Sequence, residues 1–346
     1  MRYRDAIVMA CHPARNHGKN EVPPMRLVVL DGYTLNPGDN PWTEVAKQVD
    51  FTVYERTTPD QIVERAADAD IVLTNKTPLS AATLAQLPRL RFISVLATGY
   101  NIVDTQSAAE RGIVVSNVPE YSTDSVAQLV LAMLLHFCHQ PAAHDQAIRN
   151  GHWQDCGDFC FWLAPLRELV GLKMGIVGFG RIGRRVGELA HALGMEVLAY
   201  DVQHQAPPAY EPFGWRTIDE VFAQSDVVTL HCPQTSDNAG LVNRELLSRM
   251  KPTALLINAA RGGLIAEQDL ADALNQGVLA GAALDVLSSE PPPADHPLLH
   301  ARNCLLTPHI AWATVEARRR MMAVTAENVA AFLRGQPQNV VNRPRA

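Results

Sequence analysis

No apolar run in this chain of 346 residues reaches the roughly 18 residues that span a bilayer as a helix. The N-terminal run Ile7-Val8-Met9-Ala10-Cys11 is too short for a secretory apolar region, and His, Pro, Arg and Lys follow it. Cysteine is scarce. The six residues Cys11, Cys138, Cys156, Cys160, Cys232 and Cys304 form no disulfide framework and no paired CxxC zinc site. Reduced thiols, a cytoplasmic location and no metal are the expectation. Cys156 and Cys160 read as loop or core cysteines, and His136, His139 and His144 as residues of a helix face. A basic excess is missing as well. The formal net charge of -6 provides no global pull toward nucleic acid or anionic membrane. No internal repeat and no low-complexity tract stands out.

What is present is apolar content, 47% of residues against 19% charged. That supplies core for about two domains of roughly 150 residues each. Residues 1–24 are polar, carry prolines and show no periodicity, so a flexible head, or a start at Met25, is expected. From Arg26 strand-like and helix-like runs alternate: strands over 27–31, 50–55, 70–75, 91–97 and 112–117, with short helices between. Residues 122–149 read as one long apolar helix leaving the first domain. A second alternating series then runs through strands at 172–178, 195–201, 225–232, 253–260, 281–286 and 303–309. Such alternation predicts βαβ units and doubly wound parallel sheets. An amphipathic helix over about 314–334 follows the last strand and is expected to return to the first domain. The predicted division is 25–122 plus 313–340 for one domain and 123–312 for the other. Arg318-Arg319-Arg320 reads as a solvated helix face or a contact across domains.

Two local patterns carry chemistry. Gly178-Phe179-Gly180-Arg181-Ile182-Gly183 follows a strand and opens a helix. The first glycine permits the turn, the second lets backbone approach a pyrophosphate, and the third allows close helix–strand packing. Unpaired amides at the helix start then face the phosphates, and Arg181 adds a charge. Asp201 ends the next strand, where an acid binds the adenine-ribose hydroxyls and repels the extra phosphate of NADP. NAD is the expected cofactor. Arg261, Glu290 and His309 each follow a strand-like run, and parallel sheets gather ligands at the carboxyl ends of their strands. A guanidinium, a carboxylate and an imidazole there suit binding a keto acid and protonating its carbonyl.

The runs VLATGYNIVD (95–104), the glycine loop, HCP (231–233), NAARGGLI (258–265), Glu290-Pro291-Pro292 and TPHIAW (307–312) resemble the NAD-dependent D-2-hydroxyacid dehydrogenases. TNKTPLS (74–80) and TPHIAWATVEAR (307–318) are most similar to the glycerate dehydrogenase, or hydroxypyruvate reductase, branch. The resemblance covers about 25–340. It implies a Rossmann cofactor domain and a flavodoxin-like substrate domain. It implies Arg261 as the substrate-binding arginine, His309 as general acid/base and Glu290 as the histidine's partner. Backbone amides around Ala97, Thr98 and Gly99 are implied to hold the substrate carboxylate opposite Arg261, with Lys76 at the entrance and the domains closing on substrate. Thr123, His231, Cys232, Pro233, Ala259, Ala260 and Asp285 are implied cofactor contacts. A homodimer through the cofactor domain is implied, with 122–149 and 152–162 as candidate contacts.

The expected reaction is reduction of a small 2-keto acid, hydroxypyruvate or glyoxylate, to the D-2-hydroxy acid. A branch acting on phosphoglycerate or bulkier keto acids is the alternative within enzymes. An NADH-sensing co-repressor of the same fold is the alternative outside them.

Overall fold

The computed structural model describes residues 7–11, by their backbone alone, and residues 24–342. The chain forms two compact units. One holds the chain up to Tyr121 and again from Ala313; the other holds Ser122–Trp312.

The first unit is a sheet of six strands among the described residues: β1 (Ile7–Cys11), β2 (Arg26–Val29), β3 (Asp50–Tyr54), β4 (Ile71–Thr74), β5 (Phe92–Val95) and β6 (Val114–Ser116). Their order is β1-β3-β2-β4-β5-β6, and β2 to β6 are parallel. That part is a flavodoxin-like doubly wound arrangement. β2, β4 and β5 are strongly apolar, as central parallel strands covered on both faces must be. The Val315–Leu333 helix belongs to this unit. Phe332 stacks on Phe92 with ring centroids 4.5 Å apart, and the chain beyond it bonds the sheet edge, Val341 N–H donating to the Val115 carbonyl at 2.8 Å.

Two expectations about this unit need correction. The stretch read as a flexible head contains β1, which pairs antiparallel with β3, Ala10 opposite Thr52. An apolar run of five residues beside an open sheet edge completes backbone hydrogen bonds that water otherwise takes. The rest of that stretch, 1–6 and 12–23, lies outside the described residues. Arg318 is not on a solvated face. It is 6% exposed, with a two-pronged bond to Asp39 at 2.5 and 2.6 Å and a third to the Leu35 carbonyl at 3.3 Å. Asn40 in turn donates to the Arg318 carbonyl at 3.0 Å. A buried guanidinium is stable only when its donors are filled this way, and the effect is to tie the 35–40 loop to the helix start.

The second unit is a sheet of seven parallel strands among the described residues: β7 (Lys173–Val177), β8 (Glu196–Tyr200), β9 (Phe213–Trp215), β10 (Val227–Leu230), β11 (Leu255–Asn258), β12 (Gly281–Leu284) and β13 (Cys304–Leu306). The order β13-β12-β11-β10-β7-β8-β9 reverses direction at β7 and β10, where a doubly wound sheet opens its ligand crevice. Two apolar cores cover its faces, one around Leu230, Leu256 and Leu270, the other around Leu134, Ile176 and Ile257. β9 was not legible in the sequence, because Phe213-Gly214-Trp215 is too short to show alternation.

The expected single helix over 122–149 is two helices, Thr123–His139 and Pro141–Arg149, bent by 49°. Gln140 between them has φ 45°, and Pro141 has no N–H to continue the ladder. Thr123–His139 buries Ala127, Val130 and Leu134 in the core that also holds Val186 and Ala190 of the Arg181–Ala192 helix. No single described helix is long and apolar enough to cross a membrane.

Candidate active site

The glycine loop joins β7 to the Arg181–Ala192 helix. Gly178 has φ +93°, and a Cβ there would sit 2.7 Å from the His231 carbonyl carbon, inside the envelope of Cys232 N. Only glycine fits a left-handed turn against backbone. Gly183 is packed as tightly, against the Gly178 carbonyl. Gly180 differs: a Cβ there meets nothing within 4 Å. Packing does not require glycine at 180, whereas the approach of a pyrophosphate to bare backbone does. The loop therefore fits a dinucleotide. Arg181 and Ile182 begin the helix, with N–H groups pointing out of its start.

Asp201, just past β8, accepts from Phe179 N–H at 2.7 Å and Gln203 N–H at 3.2 Å. The two bonds lock the acid to the glycine loop and use one site on each oxygen, leaving acceptor capacity for ribose hydroxyls. Across the switch point, His231, Cys232 and Pro233 follow β10. The His231 ring shares a hydrogen bond with Thr229 Oγ1 at 2.9 Å, and burial pushes its pKa down to about 3. It is a neutral imidazole. Burial also raises the Cys232 thiol, which makes it a poor nucleophile. Thr123 opens its helix at the edge of the same unit.

The structure brings Arg261, Glu290 and His309 to the carboxyl side of β11, β12 and β13. Arg261 follows β11 in a turn built by Asn258, whose amide donates to the Arg261 carbonyl at 2.9 Å and accepts from Ala260 N–H at 3.0 Å. The Arg261 guanidinium is exposed and touches the Ala260 carbonyl at 2.7 Å. Ala259 and Ala260 are half-buried in that turn. His309 Nδ1 lies 2.6 Å from Glu290 Oε2. The other Glu290 oxygen accepts from Leu287 N–H at 3.1 Å. With Nδ1 engaged by a carboxylate, Nε2 is the nitrogen left for chemistry.

His309 has φ +53°, a backbone region that costs a non-glycine residue on the order of 1–3 kcal/mol. Asp285 holds it there. Its buried carboxylate accepts from Thr307 Oγ1 at 2.6 Å, Ile310 N–H at 2.8 Å and Ala311 N–H at 2.8 Å, and its carbonyl accepts from His309 N–H at 2.8 Å. The sequence reading placed Asp285 only at the cofactor; three donors from the histidine's own segment make it a brace as well.

On the first unit, Ala97-Thr98-Gly99 follows β5. Thr98 is exposed, and its carbonyl and hydroxyl are bound by Asn117 at 2.7 Å and to Val118 at 2.9 Å. Lys76 is exposed on the loop after β4. Asp31, which sequence reasoning passed over, organises that loop: its carboxylate accepts the amides of Asn75, Lys76 and Thr77 at 2.7, 2.5 and 2.8 Å. The signal available was an acid at the end of a strand-like run. Asn258, the polar end of LLIN, offered a similar one.

A family model described as D-isomer specific 2-hydroxyacid dehydrogenase, NAD binding domain, matches residues 131–311. The chain is 48% identical over 322 residues to a hydroxypyruvate reductase of Blautia hydrogenotrophica, covering 92% of this chain and 100% of the relative. It is 39% identical to a glycerate dehydrogenase of Methylorubrum extorquens, over 84% of this chain and 92% of that one. Among solved structures it resembles a D-lactate dehydrogenase from Aquifex aeolicus complexed with NAD and lactic acid, with TM-score 0.79, 27% identity, and coverage of 90% and 96%. With more than half its length matched by the family model and nearly all of it by such a relative, the chain belongs to the NAD-dependent, D-isomer specific 2-hydroxyacid dehydrogenases.

Proposed function

We propose that this enzyme is a hydroxypyruvate reductase, with glyoxylate as a second substrate, in which Arg261, Glu290 and His309 do the chemistry. The observation that carries the reading is the 2.6 Å contact between His309 Nδ1 and Glu290. NADH supplies a hydride to the carbonyl carbon when it is bound. Arg261, with a planar fork suited to a carboxylate, holds the acid group and polarises the reacting oxygen. His309 delivers its Nε2 proton to that oxygen and becomes neutral; in the oxidative direction the same nitrogen takes the proton back. Glu290 keeps the ring oriented, with Nε2 free to exchange the proton in both steps. On the first unit, Lys76 and the amides of Ala97, Thr98 and Gly99 are the proposed substrate contacts. The names of the relatives, hydroxypyruvate reductase and glycerate dehydrogenase, support the substrate class.

The discriminating measurement is NADH oxidation against a panel of 2-keto acids. Fastest turnover on hydroxypyruvate and glyoxylate supports this reading. Faster turnover of bulkier keto acids or a phosphorylated acid sinks the substrate choice. Tight NADH binding with no turnover at all points to a nucleotide sensor.

Two substitutions probe the roles further. Glu290→Gln keeps the shape and removes the charge. It should slow reduction about 10–100-fold, because a neutral amide holds the ring at Nδ1 less firmly than a carboxylate does. Turnover close to normal removes Glu290 from the role. Asp201→Asn should narrow the preference for NAD over NADP about tenfold or more, since a carboxylate no longer repels the extra phosphate. Equal use of both by the unmodified enzyme refutes the assignment.

The protein is proposed to be a cytoplasmic homodimer. Exposed Trp153, Phe159 and Trp162, with Phe159 89% exposed, support a contact through the 152–162 segment, since monomers rarely leave such aromatic patches in water. The Thr123–His139 helix, which packs one face into the core of its own unit, is a weaker candidate.

A further inference from the structure

We propose that Glu267 is a positioning residue for the Glu290–His309 pair, acting as a clamp that closes both ends of the loop carrying Glu290. This rests on the reading of Glu290 as the partner of His309. Glu267 begins the Glu267–Gln276 helix, and its side chain is 13% exposed. One carboxylate oxygen accepts from Ser288 N–H at 2.7 Å. The other accepts from the Ser288 hydroxyl and from His296 Nε2, the latter at 3.1 Å. Ser288 and His296 are the two ends of the segment that holds Glu290. A single side chain therefore pins residues 288 and 296 together.

The tautomer is set by a neighbour. His296 Nδ1 accepts from Leu298 N–H at 3.4 Å, so Nε2 carries the ring proton and donates it to Glu267. The clamp presses on the arginine segment too. A Cβ at Gly262, the residue after Arg261, would fall on the Leu287 carbonyl and Ser288 N. The backbone that Glu267 holds thus lies flat against the turn that presents Arg261. Glu290 takes its own anchor from this backbone, at Leu287 N–H. Loosening Ser288 shifts the platform from which Glu290 reaches His309.

Glutamine is the informative replacement. Three donors converge on Glu267, and a carboxylate accepts them all. Glutamine has one acceptor oxygen, and its amide hydrogens face either Ser288 N–H or His296 Nε2–H, donor against donor. Glu267→Gln should lower kcat for hydroxypyruvate reduction about 10–100-fold, as loss of a supporting contact does at other sites. The KM should change less, and NADH should bind within about twofold of its usual Kd, because the glycine loop is untouched. In the Glu290→Gln background the same change should add less than about twofold, because its effect runs through Glu290. Ser288→Ala should show the same pattern at about 3–10-fold, and Ser288→Thr, which keeps the hydroxyl, should restore most of the rate. The serine pair carries the test if Glu267→Gln does not fold.

Normal kcat in Glu267→Gln and Ser288→Ala alongside a slow Glu290→Gln overturns the clamp and leaves the Glu290 reading intact. Losses that multiply fully with Glu290→Gln also overturn it, since the clamp then acts elsewhere. A fast Glu290→Gln enzyme overturns the Glu290 reading and the clamp with it.

Discussion

Arg261→Ala is expected to bind NADH as the unmodified enzyme does and to reduce 2-keto acids about a thousandfold more slowly or worse, a loss of about 4 kcal/mol in transition-state stabilisation. The guanidinium is proposed to hold the substrate carboxylate and to meet negative charge as it grows on the carbonyl oxygen. The second contact strengthens along the reaction, so kcat should fall together with kcat/KM. Arg261 is well placed for such a loss without collapse. Its side chain is exposed and bonds the adjacent Ala260 carbonyl, while Asn258 builds the turn through backbone groups. Truncation leaves that scaffold standing. Arg261→Lys keeps the charge without the planar fork and should recover only a small part of the rate. Steady-state kinetics with hydroxypyruvate and a fluorescence titration with NADH provide the check. Turnover of Arg261→Ala within about tenfold of normal would leave the guanidinium no direct part in the reaction.

Gly178→Ala is expected to fail at the other substrate. The added methyl meets the backbone of His231 and Cys232, and φ +93° is already closed to alanine. The atoms it meets are backbone rather than a flexible side-chain end, so the β7 turn or the β10 turn must move. The strain and the displacement together cost about 2–4 kcal/mol. The thermal midpoint should drop by roughly 5–10 °C. NADH affinity should drop about 100-fold or more, because Phe179 N–H and its bond to Asp201 move with the loop. Gly180→Ala is the control. Its methyl enters open space, so stability should hold while NADH binding weakens. A stable Gly178→Ala enzyme with normal NADH affinity would mean that the loop does not carry the pyrophosphate.

The alternation of strands and helices was legible because both signals are local. Central strands such as Ile71–Thr74 and Leu255–Asn258 are buried on both faces and so read as unbroken apolar runs. The glycine loop was legible for the same reason, since a tight turn constrains adjacent residues. Arg261, Glu290 and His309 could be picked out because strand ends collect ligands in any doubly wound sheet. Elements decided by distant partners were not legible. β9 has three residues and forms because β8 offers an edge, Leu198 opposite Gly214. β1 forms because β3 offers one.

Charged and polar side chains divide in the same way. An arginine in a run of three looks solvated until Asp39, 279 positions away, fills its donors. Asp285 looks like a cofactor contact until Thr307, Ile310 and Ala311 fold back onto it. Glu267 looks like an ordinary first-turn acid, well placed for the helix dipole, until Ser288 and His296 arrive from positions 21 and 29 residues on. By itself the sequence determined which residue types stand at the ends of the strands, because period and turn chemistry act over a few neighbours. Only the tertiary structure decided how those residues are braced, because a carboxylate's partners are set by which loops the fold brings within hydrogen-bond reach.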